Sequence, residues 1–165
     1  MPADLLTIVV EIPKGSRNKY EMDHETREIW LDRMLFTSMQ YPADYGFIDG
    51  TLGGDGDPLD ALVFVGEPTF PGCHIGARPI GLFRMIDEKG EDEKILCVPP
   101  RDPVWGHIAD LAGIPLTLLN EIEHFFQVYK DLEGHKVSTE GFEPRASAER
   151  VISEARARVA EHDAP

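Results

Sequence analysis

The residues in this chain best suited to chemistry are the carboxylates of two short stretches. The first is Gly54-Asp55-Gly56-Asp57-Pro58-Leu59-Asp60, and the second is Asp87-Glu88-Lys89-Gly90-Glu91-Asp92-Glu93-Lys94. Two like charges about 4 Å apart repel by roughly 4 kcal/mol at an effective dielectric near 20. A fold that gathers such groups must therefore supply cations. Hard oxygen ligands select Mg²⁺, Mn²⁺ or Ca²⁺ over softer metals. Lys and Arg interleaved with them can hold an anion against those metals, and phosphate is the commonest anion of that kind.

Asp55 and Asp57 lie two apart, so in extended backbone they share one face. Pro58 ends regular pairing, and a turn there brings Asp60 back toward the same point, a geometry suited to one or two metal ions. The same residues also suit an acidic loop tip built from turn formers. An EF-hand loop does not fit, because the central Gly frame and the closing Glu are missing. Asp87 and Asp92 flank a turn containing Gly90, and Lys94 shares the face of Asp92. Taken alone, this segment reads better as a solvated hairpin tip. Lys19-Tyr20-Glu21 repeats the pattern of base and acid two apart. Arg33, Tyr41, Tyr45, Tyr129 and Lys130 add a planar fork, point charges and neutral donors for phosphate oxygens. His124 falls on a helix beside Phe125-Phe126, where a surface or subunit contact is expected, and His24 is given no role.

These side chains must be held by many short elements. Residues 6–12 are β-branched and stop at Pro13, which predicts a strand. Segments 19–22 and 28–33 predict a hairpin around His24-Glu25-Thr26. Strands are also expected at 61–65, 80–86 and 95–99, with a turn at 87–94. The period then changes. Leu116, Leu119, Ile122, Phe126 and Tyr129 recur at helical spacing behind Pro115. A second helix opens after Glu143-Pro144, with Ala148, Val151, Ile152, Ala155 and Val159 on one face. Strands followed by two C-terminal helices predict a mainly β (α+β) fold: an OB-like five-stranded β-barrel with flanking helices.

At 165 residues the chain suits one domain, 1–165, around a single core. Its formal net charge of −14 argues against binding a nucleic-acid backbone, which needs a basic face. An anionic substrate must then be met by bound metal and local Lys and Arg. Met1-Pro2-Ala3-Asp4-Leu5-Leu6 has no basic segment followed by an apolar run, so no signal peptide is expected. Nor does any stretch approach the ~18 apolar residues of a membrane span. The expected compartment is the cytoplasm. Cys73 and Cys97 lack zinc or redox spacing and read as small packed residues.

The acidic stretch resembles a known signature. Asp55-Gly56-Asp57-Pro58-Leu59-Asp60-Ala61 is similar to the D-x-D-P-hydrophobic-D motif of the soluble family I inorganic pyrophosphatases. Glu11-Ile12-Pro13-Lys14-Gly15, Asn18-Lys19-Tyr20-Glu21, Leu31-Asp32-Arg33, Tyr41-Pro42-Ala43-Asp44-Tyr45-Gly46-Phe47, Asp87-Glu88 through Lys94, and Phe125-Phe126 with Tyr129-Lys130-Asp131-Leu132 follow in the family's order. The resemblance spans residues 8–143, and so many collinear blocks make it specific. It implies hydrolysis of inorganic diphosphate to two phosphates by a metal-activated water. It also implies several Mg²⁺ per subunit, with Mn²⁺ a substitute and Ca²⁺ an inhibitor, and the homohexamer usual in the compact prokaryotic branch.

By position, Glu11, Asp55, Asp60, Asp87 and Asp92 resemble the carboxylates that hold Mg²⁺, with Asp60 bridging two ions and Glu21 in the metal and water network. Asp57 resembles the base beside the attacking water, a role sometimes given to Asp92. Lys19, Arg33, Tyr45, Lys94, Tyr129 and Lys130 resemble the diphosphate-binding set. Other readings are a non-catalytic cation buffer, an OB-fold binder of single-stranded nucleic acid, and a phosphomonoesterase or nucleotide hydrolase. The first leaves the lysines unexplained. The second lacks a basic groove with stacking aromatics. The third lacks an evident pocket for a base or alcohol.

Overall fold

A computed structural model describes residues 5–164. The reading of the N-terminus rests largely on Met1 to Asp4 and lies outside the described residues. The β-branched run forms β1 (Leu6–Ile12), and β2 (Asn18–Asp23) pairs antiparallel with β3 (Glu28–Met34) as the expected hairpin. Next come β4 (Asp44–Ile48), β5 (Asp60–Val63), β6 (His74–Asp87) and β7 (Gly90–Val98). Helix α1 (Leu116–Val128), strand β8 (Ser138–Pro144) and helix α2 (Arg145–His162) complete the order.

Strands β1, β4, β5, β7 and β6 pair in that order, and β6 returns to pair with β1. A ring of five strands is the result, with β8 added to the outer side of β6. Closure removes the exposed edges that an open sheet of these apolar strands would present. The mainly β architecture with a five-stranded ring is therefore as expected, with one correction. Only α2 is C-terminal, because β8 stands between the two helices.

β4 and β8 lie outside the expected strands and β6 and β7 run beyond them; the turn expected at 87–94 is confined to Glu88-Lys89, because Gly90 to Lys94 pair with β6. β4 carries Asp and Gly, poor strand formers, and takes its conformation from β1 and β5 on either side. A side chain at Gly46 would place its Cβ 2.0 Å from the Val9 carbonyl oxygen, so only glycine lets these strands approach. β6 passes through Pro79, which sits at a register shift between Pro79 and Gly81, where a missing N–H is tolerated.

Ala61 and Val63 pack into a cluster shared with Val151, Ile152 and Ala155 of α2. Leu62 and Phe64 point the other way, into a cluster shared with Ile122, Phe125 and Phe126 of α1. Burial on both faces explains why β5 reads as a continuous apolar run. Both cysteines are free thiols, Cys97 fully within the core. Among the described residues no helix is long and apolar enough to cross a membrane.

Candidate active site at the mouth of the ring

Strand registers deliver the site. The parallel pairing of β5 and β7 sets Asp60 beside Lys94. The β6–β7 hairpin pairs Asp87 with Gly90, which takes φ 113°, and carries Asp92 and Lys94 on one face as expected. A bulge in β1 at Glu11 breaks its ladder with β4 and re-aims that side chain. The hairpin β2–β3 folds against β1, so Met22 N–H donates to Glu11 Oε2 at 2.9 Å. Helix α1 ends at Val128, with Tyr129 as its C-terminal cap and Lys130 following.

Glu11, Glu21, Asp55, Asp57, Asp60, Asp87 and Asp92 all line one cavity of about 480 Å³. Lys19, Tyr41, Tyr45, Lys94, Tyr129 and Lys130 line it with them. A larger cavity, about 960 Å³, lies elsewhere and has Glu149 as its one acidic lining residue. Chemistry, not size, selects the smaller one.

Arg33 is not brought into that wall. Its guanidinium grips Glu133 (2.8 and 3.0 Å) and Asp32 (2.6 Å), tying β3 to the turn after Lys130. The acidic loop also differs from the extended backbone expected for it. Asp57 N–H donates to Asp55 Oδ1 at 3.0 Å, Gly53 N–H donates to the Asp57 carbonyl at 2.7 Å, and Gly56 takes φ 91°. The segment is a closed turn, and the side chains reach the cavity through turn geometry, not strand alternation. Among the wall residues missed by sequence are His24 and Lys89. His24 stands edge-on to Phe47 (centroids 4.7 Å, 84°), brought there by the fold of the hairpin, which no spacing announces. Lys89 lies at the tip of the β6–β7 turn, and its place between Asp87 and Asp92 was an available signal.

At the floor lies Lys94, its side chain 2% exposed. Its Nζ donates to Tyr45 Oη (2.6 Å), Asp92 (2.9 Å) and Asp60 (3.2 Å), while Tyr45 O–H donates to Asp60 at 2.7 Å. The ammonium also sits over the Tyr45 and Phe126 rings at 4.8 and 4.9 Å. Burial works against the charge on Lys94, but Asp92 and Asp60 outweigh it and hold the amine protonated, well above the usual range. Burial pushes Asp92 up as well; Lys94 beside it prevails and keeps it below the usual carboxylate range. Asp60 goes the other way. Burial drives it up to about 6 against the opposing charge of Lys94, with Asp92 adding repulsion. Burial likewise lifts Glu11 to about 7 despite the Met22 hydrogen bond.

As the side chains stand, no group of three or more His, Cys, Asp or Glu among the described residues is gathered closely enough to hold an ion alone. The donor set still fits Mg²⁺. Every acidic donor is a hard oxygen, and Mg²⁺ keeps several waters and takes one or two carboxylates plus phosphate oxygens, not a closed protein cage. Two of the carboxylates, Glu11 and Asp60, are buried at a cost to their charge that a nearby cation offsets.

That cost has a pH signature. With raised pKa values, Glu11 and Asp60 hold protons in the folded chain that the unfolded chain has released. Between about pH 4.5 and 7 these groups therefore make stability fall as pH rises. In chelator, raising the pH from 5 to 7.5 is expected to lower the melting temperature through these two groups. With Mg²⁺ present the slope should flatten or reverse, because the metal requires deprotonated ligands. Scanning calorimetry across that range, on wild type and on Glu11→Gln, checks it; an unchanged slope in Glu11→Gln contradicts the assignment.

The family model described as "Pyrophosphatase: Inorganic pyrophosphatase" matches residues 8–160. An inorganic pyrophosphatase of Methanosarcina acetivorans is 56% identical over 155 residues, covering 94% of this chain and 92% of that one. One from Streptomyces coelicolor is 62% identical over 134 residues, 81% of this chain and 82% of its own. The crystal structure of the inorganic pyrophosphatase from Thermus thermophilus superposes with a TM-score of 0.92 at 41% identity, covering 96% of this chain and 93% of that one.

Proposed function

Since the chain belongs to the inorganic pyrophosphatase family, hydrolases acting on diphosphate, we propose that it cleaves inorganic diphosphate to two phosphates with Mg²⁺ in the cavity at the ring's mouth. The observation that carries this reading is the convergence of acidic and cationic side chains on one small polar cavity. A carboxylate set alone would suit a cation store. A lysine and tyrosine set alone would suit an anion. Both in one wall suit an anion presented on metal, and diphosphate is small and charged enough to need little apolar lining.

In this reading Glu11, Asp55, Asp60, Asp87 and Asp92 hold Mg²⁺, with Glu21 in the surrounding water network, and Mn²⁺ can substitute. Bound there, Mg²⁺ supplies Lewis acidity, making a water nucleophilic near neutral pH and neutralising phosphate charge. Asp57 orients that water and takes its proton. Asp92 is the alternative acceptor, its ionised form stabilised by Lys94 at 2.9 Å. Lys19, Lys94 and Lys130 neutralise the oxygens of the departing phosphate and Tyr129 donates to them, while Tyr45, whose one O–H is given to Asp60, must release that bond to join them. Arg33 must release Glu133 before it can join this set. The working assembly in this proposal is a cytoplasmic homohexamer, with exposed His124 of α1 at or near a subunit contact.

Purified chain incubated with Mg²⁺ should release phosphate from diphosphate far faster than from a phosphomonoester. Equal rates would favour the phosphomonoesterase reading instead. Ca²⁺ is larger, coordinates more loosely and activates water less. It is expected to occupy the carboxylates and suppress turnover when added to the Mg²⁺ enzyme, read as phosphate release against Ca²⁺ concentration; hydrolysis sustained by Ca²⁺ alone would contradict a tight octahedral site.

A further inference from the structure

The acidic loop 53–58 is rich in glycine and costly to order, and its internal hydrogen bonds fix its shape but not its orientation toward the ring. Its C-terminal root is tied to β4 and the adjacent turn: Ile48 N–H donates to the Leu59 carbonyl (2.8 Å), and Leu59 N–H donates to Thr51 Oγ1 (3.0 Å). Its N-terminal root is Leu52, and both peptide groups of Leu52 are held by the far end of the chain. Leu52 N–H donates to the Ala155 carbonyl of α2 at 3.1 Å, and Arg158 Nη1 of α2 donates to the Leu52 carbonyl at 3.3 Å. Ala155 is fully buried in the core, so α2 is a fixed support at that point.

Arg158 also lines a second cavity of about 440 Å³, whose wall it shares with Asp55, Asp60 and Asp92. One side chain thus touches the root of the loop and shares a cavity with three of the carboxylates.

We propose that Arg158 is a positioning residue for the metal site, holding Asp55 and Asp57 in place through the Leu52 carbonyl. The inference rests on the reading of Asp55 and Asp60 as Mg²⁺ ligands. Two effects of Arg158 have opposite signs, which makes the idea testable. As a charge behind the carboxylates it weakens cation binding, so deleting it would tighten Mg²⁺. As a clamp it strengthens cation binding, so deleting it loosens Mg²⁺. The clamp is expected to win, because the guanidinium reaches the Leu52 carbonyl directly, while it makes no ion pair with Asp55, Asp60 or Asp92.

The test is Mg²⁺ titration by calorimetry of the full chain, with melting in chelator alongside. Arg158→Ala is expected to weaken Mg²⁺ about 3- to 10-fold, the effect of one lost hydrogen bond. Arg158→Gln, which keeps a donor but no charge, should stay within about 2-fold of wild type. Melting in chelator should move by no more than a few degrees in either, which separates a loosened loop from a loosened fold. If Arg158→Ala fails to fold, Arg158→Met keeps the packed stem and carries the same comparison. Wild-type or tighter Mg²⁺ binding in Arg158→Ala or Arg158→Met overturns the proposal. Asp60→Asn serves as the reference: if it too leaves Mg²⁺ binding unchanged, the metal-site reading itself fails and this inference falls with it.

Discussion

Asp57→Asn is expected to slow diphosphate hydrolysis about 10²–10⁴-fold, the usual cost of losing a general base, while Mg²⁺ affinity stays near that of wild type. Asparagine keeps the size of the side chain and can still orient a water, but it cannot accept a proton near neutral pH. The loop should survive the change, because its shape depends on the Asp57 backbone, which donates to Asp55 and accepts from Gly53. Single-turnover kinetics beside metal titration separate the two roles. If Asp92→Asn alone shows normal metal binding with slow chemistry, the base assignment moves to Asp92.

Asp60→Asn should behave differently, losing metal binding and activity together. Its carboxylate is central to the cavity floor, accepting from Lys94 and from Tyr45. An amide oxygen can still accept from those donors, so the fold is expected to remain. It carries no charge to offset a divalent cation, so Mg²⁺ affinity should fall by at least about 10-fold, no less than is typical for losing a supporting residue around a metal, with activity below detection. Asp60→Asn with wild-type affinity would remove Asp60 from the metal set.

Much of this site was legible because its signals are local. The β6–β7 turn shows its Gly90, its flanking aspartates and Lys94 two residues after Asp92, and the structure keeps that spatial relation. The hairpin at 18–34, both helices and the β1 stop at Pro13 were readable for the same reason. What sequence could not give depends on partners distant along the chain. β4 is a strand because β1 and β5 flank it, despite Asp44 and Gly46. β8 is half-buried and has no clean alternation, with Gly141 at φ 86°, and its pairing with β6 makes it a strand. Arg33 looks free in sequence, but Glu133 claims it from the far side of the chain. The Asp55–Asp57 spacing suggested an extended face, but glycine on either side of Asp55 let the chain close a turn.

The most direct test of the account is phosphate release from diphosphate by one preparation, measured with Mg²⁺, after excess chelator, and after Mg²⁺ is restored. The account predicts rapid release, then loss to background, then recovery. Full hydrolysis in excess chelator would contradict it, because carboxylates and lysines sharing one cavity would then have to cleave diphosphate without the cation they are arranged to hold.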